Sequence, residues 1–268
     1  MSKIVGQFKQ LIKLVSFDIL TTLIVWGKKN IIKVQTMIKK IDIAGIPVDN
    51  YTVREAIMQV EMSLEAKGFY LIEEVTMDML LIAERNEQVK EVLKSVDLTV
   101  IVESEILSAV GANTMQRQHE IENHDFFAEF MKRLERNHKT IFLLGETFKD
   151  IEKMRSIIRE SYGRIDIVGE ATLESQTDGT DGVVNEINSA TPDVIVSLLP
   201  SPGQEIFLQE NKNKLSAKIW YGLGRELLVT QKRGGIRKIL RHHSRTHMLK
   251  KHISQYQKQE EAIKNDRN

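Results

Sequence analysis

The chain has 268 residues, 41% of them hydrophobic, enough for one large α/β domain or two small ones with a sizeable core. It has no cysteine, which excludes disulfides, cysteine-bound zinc and thiol nucleophiles and suits a reducing cytoplasmic setting. The formal net charge of +1 conceals an asymmetry, because both ends are basic and the middle is acidic. Two basic ends on an acidic body point to an anionic surface, membrane or nucleic acid, as partner.

Residues 1–40 read as a separate basic extension, with Lys3, Lys9, Lys13, Lys28, Lys29, Lys33, Lys39 and Lys40 against Asp18 alone. Phe8, Leu11, Ile12, Val15, Ile19, Leu23 and Trp26 fall at helical spacing on one side. The apolar run is broken by Lys13 and Asp18, is shorter than the ~20 residues a spanning helix needs, and carries no small-residue cleavage site. An interfacial amphipathic helix, a helix packed on its own domain and an untranslated leader all fit this pattern. Met37, just before the first convincing strand, is the alternative start.

From Ile41 the pattern becomes regular. Ile41 to Ile43 reads as a strand, Gly45-Ile46-Pro47 as a turn, and Asn50 or Thr52 as the cap of a helix running to about Lys67. Strands follow at Phe69 to Ile72 and Leu98 to Val102, with one helix from Met77 to Lys94 between them. Residues 104–124 are polar and ambiguous. Then come a helix from Phe126 to Asn137, a strand from Thr140 to Leu144 ended by Gly145, and a Thr147-capped helix from Phe148 to Ser161. A strand from Ile165 to Val168, a polar loop over 171–182 and a helix from Val183 to Ser189 precede a strand from Val194 to Leu199. Ala217 to Tyr221 is the last strand, and residues after Ser254 form a polar tail. Strands alternating with helices predict an α/β, Rossmann-like fold, a largely parallel sheet with helices on both faces. The expected organisation is a basic amphipathic extension over 1–40, the Rossmann-like domain over 41–231, and a basic membrane-associating segment with its tail over 232–268.

The stretch from Pro192 to Glu205 is the centre of this pattern. A turn, Thr191-Pro192-Asp193, opens a β-branched run that Pro200, Pro202 and Gly203 end, and Gln204 and Glu205 start a helix. A buried strand that ends in a small-residue turn and a helix start is where α/β proteins place ligands, with free backbone N–H groups for an anion. An ordinary βα loop has the same signature.

Several segments together resemble the WecB/TagA/CpsF glycosyltransferases. They are Ile41-Asp42-Ile43-Ala44-Gly45-Ile46-Pro47-Val48-Asp49-Asn50, Leu80-Leu81-Ile82-Ala83-Glu84-Arg85-Asn86 with Leu93-Lys94-Ser95-Val96-Asp97-Leu98, Ile141-Phe142-Leu143-Leu144-Gly145, and Ser201-Pro202-Gly203-Gln204-Glu205. The resemblance covers about residues 41–240. It implies a Rossmann-like fold and transfer of N-acetylmannosamine or a related sugar from a UDP donor. The implied acceptor is an undecaprenyl-diphosphate-linked sugar, in teichoic acid or surface polysaccharide assembly. It also implies a basic C-terminal segment that meets the membrane, here Lys232, Arg233, Arg237, Lys238, Arg241 and Arg245.

The departures are as informative. The family's Thr-Pro-Asn-like turn is Glu74-Val75-Thr76 here, and its Pro-Asp-Gly turn, whose Asp is the expected base, is Ile101-Val102-Glu103. The glycine expected after Gly145 is Glu146, a carboxylate where a diphosphate should dock. Gly222-Leu223-Gly224 is kept, but Arg225-Glu226-Leu227-Leu228 replaces the family's Phe-Asp pair.

Sugar transfer needs a base on the acceptor hydroxyl and stabilisation of the departing diphosphate. Glu73, Glu74, Glu103 and Glu105 come from two neighbouring strand ends, as alternative bases or as a solvated acidic rim; Glu103 and Glu74 are the catalytic candidates. Thr76, Gly145, Ser201, Gln204, Glu205, Gly222 and Gly224 are the expected substrate contacts. His243 and His247 share a helix face without a third ligand, and Asp178 and Asp181 read as turn residues, so no metal and no cofactor is expected. No nucleic-acid motif accompanies the basic ends. Two functions follow: a UDP-sugar transferase peripheral to the inner face of the plasma membrane, or a catalytically silent relative that binds a ligand or partner in the same pathway. Either can form a homo-oligomer.

Overall fold

The computed structural model describes residues 21–27, 30–36, 39–174, 179–225 and 236–266, with side chains over 39–174, 179–225 and 247–263. It has two compact units, residues 1–40 and 41–268. The first holds an antiparallel pair, β1 (Thr21–Gly27) and β2 (Asn30–Thr36), in register from Thr21 opposite Thr36 to Gly27 opposite Asn30. The helical spacing that includes Leu23 and Trp26 is therefore not what this backbone adopts. Both lie in β1, Leu23 opposite Val34 and Trp26 opposite Ile31, with the β-branched Ile24 and Val25 between them favouring extended chain. The rest of that expected helix, Phe8 to Ile19, lies outside the described residues.

The second unit opens with a two-stranded sheet of β3 (Lys40–Ile43) and β4 (Ile46–Asp49), turned at Ala44 and Gly45 with φ of 54° and 81°. The sequence reading had only a turn where β4 lies. Helix α1 (Val53–Glu65) starts at a capping box: Thr52 Oγ1 accepts from Glu55 N, and Glu55 Oε2 accepts from Thr52 N at 2.9 Å. Strand β5 (Tyr70–Val75) leads to α2 (Met77–Arg85) and α3 (Glu87–Lys94). These were expected to be one helix. Asn86 breaks it by adopting an extended backbone and capping α3, its Oδ1 accepting from Gln88 N and Val89 N at 3.0 and 3.3 Å.

Strand β6 (Leu98–Ile101) is followed by α4 (Ser104–Ala109), α5 (Met115–Glu122) and α6 (Asp125–Arg136), so the ambiguous polar stretch is mostly two short helices. Then come β7 (Thr140–Gly145), α7 (Phe148–Ser161), β8 (Asp166–Thr172), α8 (Asp181–Ala190), β9 (Val194–Ser197), α9 (Gly203–Asn211) and β10 (Ile219–Gly222). A long helix, α10 (Ile236–Asp266), runs through what the sequence suggested was a polar tail.

Six strands form one parallel sheet in the order β6-β5-β10-β9-β7-β8, the expected Rossmann-like α/β architecture. The central strands are buried on both faces, as continuous β-branched and aromatic runs require. Ile72, Leu143, Val196 and Tyr221 face a core closed by α1, α6 and α7, while Leu71, Phe142, Ile195 and Trp220 face α8 and α9. A third cluster joins β3 and β4 to α2 and α4 and takes in Leu249 of α10.

Asp49 locks β4 to the main sheet. Its Oδ2 accepts from Thr99 N at 3.0 Å and from Thr99 Oγ1 at 3.1 Å, and Thr99 Oγ1 accepts from Asp49 N at 2.6 Å. Asp49→Ala strands a buried donor and should lower unfolding free energy by about 1–3 kcal/mol, with Asp49→Asn losing less. Urea denaturation with an unchanged m-value is the measurement.

Candidate functional site

Because all six strands run the same way, every strand end and following turn meets at one edge of the sheet. The ends of β5, β9 and β10 surround a cavity of about 570 Å³. Glu74 and Thr76 line it from β5, Leu199, Pro200, Ser201 and Gln204 from the turn after β9, and Leu223, Gly224 and Arg225 from the turn after β10. The opposite wall is α2, with Met79, Leu81, Ile82 and Arg85, and Met248 of α10. Both walls are mixed: on the α2 side Asp78, Arg85 and Asn86 accompany the apolar Met79, Leu81 and Ile82. The Ser201–Pro202 peptide is cis.

Behind the strand-end wall lie three buried carboxyls. Glu73 is 0% exposed; its Oε2 accepts from Gln204 Nε2 at 2.5 Å and its Oε1 from Trp220 Nε1 at 3.0 Å. Burial, with the negative charge of Glu205 and Glu74 added, holds this carboxyl well above the usual range, and the Trp220 N–H offsets part of that. Glu74 points to the other face of the sheet, where its Oε1 accepts a short hydrogen bond from the Tyr221 hydroxyl. Burial pushes Glu74 up to about 8, against the lowering effect of Tyr221. Glu205 is also 0% exposed, and burial raises it. Among the described residues, neither oxygen of Glu205 has a well-aligned hydrogen-bond partner, nor have Ser201 Oγ and Gln204 Oε1.

Of the expected site residues, Glu74, Thr76, Ser201, Gln204 and Gly224 converge on the cavity. Thr76 also caps α2, its Oγ1 accepting from Met79 N at 3.2 Å. Glu103 is not among the cavity's lining residues; its Oε2 accepts from Met77 N at 2.8 Å at the start of α2. Glu105 sits in the first turn of α4. Gly145 ends β7 at the same sheet edge, where a Cβ would meet Ile151 at 2.9 Å, so its smallness seats α7. Gly222 makes room for Glu73: a Cβ there would stand 1.9 Å from Glu73 Oε2. Val102 lines a separate pocket of about 20 Å³ that Glu74 and Arg117 share.

Glu146, expected to repel an anion, is paired. Arg225 Nη1 donates to Glu146 Oε2 at 2.8 Å, and Nη2 donates to Asp150 Oδ1 at 3.2 Å in the first turn of α7. Lys232, Arg233, Asp178 and residues 226–228 lie outside the described residues, while Arg237, Lys238, Arg241, His243, Arg245 and His247 fall in α10. Among the described residues no group of three or more His, Asp or Glu is placed to hold a metal ion, and no helix is long and apolar enough to cross a membrane.

Sequence reasoning passed over Trp220, Tyr221 and Arg225. The Glu73-Glu74 doublet inside the apolar run Leu71 to Val75 was the available signal. Adjacent strand residues face opposite sides, so two carboxyls inside a central strand must each find a buried partner.

A model of the Glycosyl transferase WecG/TagA/CpsF family matches residues 41–230. Proteins of Staphylococcus aureus strains NCTC 8325 / PS 47 and COL, each named N-acetylglucosaminyldiphosphoundecaprenol N-acetyl-beta-D-mannosaminyltransferase, are 23% identical to this chain over 195 residues. The match covers 71% of this chain and 75% of each relative.

The buried carboxyls make stability depend on pH in an unusual direction. Between about 4.5, the ordinary value, and about 8, Glu74 is protonated when folded and ionised when unfolded. Folding takes up a proton across that window, so stability is full below it and falls as pH rises through it. Calorimetric Tm should therefore decline from about pH 6 to about pH 8.5, and Glu74→Gln should flatten the decline.

Proposed function

Because the chain belongs to the Glycosyl transferase WecG/TagA/CpsF family, we propose that it transfers an N-acetylmannosamine-type sugar from a UDP donor to a lipid-diphosphate-linked N-acetylglucosamine. The observation that carries this reading is the cavity at the ends of β5, β9 and β10, which has a carboxyl of raised pKa, Glu74, on its wall and two guanidiniums, Arg85 and Arg225, around it. These are the two elements sugar transfer needs.

In this mechanism ionised Glu74 takes the proton of the acceptor hydroxyl as that oxygen bonds to the anomeric carbon of the donor. The bond from that carbon to the diphosphate oxygen breaks, and UDP leaves with the electron pair. Arg225 and Arg85 face the charge that develops on the diphosphate. The Tyr221 hydroxyl holds one oxygen of Glu74 and leaves the other for the proton. Glu74 supplies from β5 the carboxylate that the family pattern sets at the position of Val102. A catalytically silent relative remains the second reading, favoured by Val102 itself.

The apolar side chains of the cavity's α2 side, Met79, Leu81 and Ile82, with Met248, suit the first part of a lipid chain. Arg237, Arg241 and Arg245 are four apart on α10 and share one face of that helix. We assign that face to the anionic inner surface of the membrane, where such an acceptor is anchored.

A transfer assay with UDP-N-acetylmannosamine and a lipid-diphosphate-linked N-acetylglucosamine tests the chemistry. Turnover should rise with pH through an apparent pKa near about 8. Glu74→Gln should lower kcat by about 10²–10⁴-fold while Glu103→Gln stays near the parent. Donor binding without turnover identifies the silent relative, and loss in Glu103→Gln alone moves the base to Glu103. In flotation with anionic vesicles, replacing Arg237, Arg241 and Arg245 by Gln should weaken binding by about 1 kcal/mol per arginine, and added salt should weaken it further.

A further inference from the structure

Glu73 is not among the residues that line the cavity, yet it is a fully buried acid in the middle of the sheet end. A carboxyl in such a place must be satisfied, and it is: Trp220 Nε1 donates to one oxygen and Gln204 Nε2 to the other. Gly222 is the residue whose missing side chain admits it. The contact with Gln204 has a directional consequence. An amide has one donor end and one acceptor end, and here the donor end, Nε2, is the one that meets Glu73. The Oε1 of Gln204 is left without a partner among the described residues, on a residue that is 1% exposed and lines the cavity.

We infer that Glu73 is a positioning residue, which fixes the amide of Gln204 so that the site offers its ligand a hydrogen-bond acceptor, and that the ligand meets it with an N–H or O–H donor. Such a donor is present on a sugar hydroxyl, an acetamido nitrogen or a uracil imide. An anionic or purely acceptor group, such as a phosphate oxygen, is disfavoured at this spot, so the diphosphate belongs nearer Arg225. The identity of the ligand rests on the sugar-transfer reading; the orientation of the amide does not.

An isosteric swap separates this role from simple packing. In Glu73→Gln the new amide can still accept from Trp220, but it presents N–H to Gln204, which must reverse and turn its own donor to the cavity. In Glu73→Gln combined with Gln204→Glu, residue 73 donates to a carboxylate, and the free oxygen of that carboxylate restores an acceptor. Titration of the full chain with UDP-N-acetylmannosamine should show about a ten- to hundredfold loss of affinity in Glu73→Gln, with Tm unchanged or raised, and recovery of most of it in the double variant. Unchanged affinity in Glu73→Gln, or a loss that the double variant does not repair, overturns the inference. The ligand-free protein gives an independent reading. The side-chain amide resonance of Gln204 in an ¹⁵N spectrum should be shifted downfield in the parent and lose that shift in Glu73→Gln. If the shift is present but the parent binds no UDP-sugar, the sugar-transfer reading fails and the positioning role stands. If the shift is absent, the positioning role fails whatever binds.

Discussion

The burial of Glu73 is the constraint on which the site depends. Taking a carboxyl out of water is costly unless its oxygens find donors, and for Glu73 the two donors come from different elements, Trp220 of β10 and Gln204 of α9. Strand β10 must therefore lie beside β5, Gly222 must lack a side chain, and the turn after β9 must bring α9 over the sheet edge. That same turn forms part of the cavity wall. Core and site are thus one arrangement: what satisfies the acid also sets the wall. Strand alternation carries the next residue, Glu74, through to the opposite face, where Tyr221 meets it.

The fold was largely legible because its signals are local. The capped starts at Thr52 and Thr147 and the apolar runs at 141–144 and 194–197 each depend on neighbours in sequence. Where the reading went astray, a single polar residue or a distant partner decided. Asn86 divides a helix whose apolar spacing runs on across it, and β4 exists because Asp49 and Thr99, fifty residues apart, exchange hydrogen bonds. Leu23 and Trp26 fit a helical spacing, yet lie in a strand that a second strand completes. The site was half legible: the turn residues Ser201, Gln204 and Gly224 follow from strand–turn–helix logic. That Glu74 and not Glu103 reaches the cavity depends on Tyr221 and on the N–H of Met77, which takes up Glu103. Nothing in a sequence window shows such an allocation.

The same long-range logic changes the meaning of Glu146. Taken alone, a carboxylate beside the N-terminus of α7 opposes an anionic ligand at a place where the helix dipole favours one. In the folded chain Arg225 lies against it and against Asp150, so the local charge is one cation between two acids, with the guanidinium also on the cavity wall. Both residues depart from the family pattern, and each supplies what the other needs. The exposed part of this ion pair is screened by solvent and adds little to stability. What it does is hold a cation beside the cavity.

Glu74 and Val102 invite the same argument. Val102 removes a carboxylate from the end of β6, and Glu74 introduces one at the end of β5, the adjacent strand. The two side chains line one small pocket of about 20 Å³, and Glu74 reaches from there to the main cavity. Simple loss of function would leave position 102 apolar and place no new acid nearby, since an acid buried there destabilises the fold at neutral pH. A carboxyl whose pKa is raised by burial, which keeps a tyrosine for a partner and opens on a cavity, costs stability at neutral pH and is of the kind that clusters at functional sites. Two departures from the family pattern thus come with a nearby replacement charge, Glu74 for the acid absent at Val102 and Arg225 against Glu146. If the chain transfers sugar as proposed, that pairing supplies the base and keeps the cation that the chemistry requires.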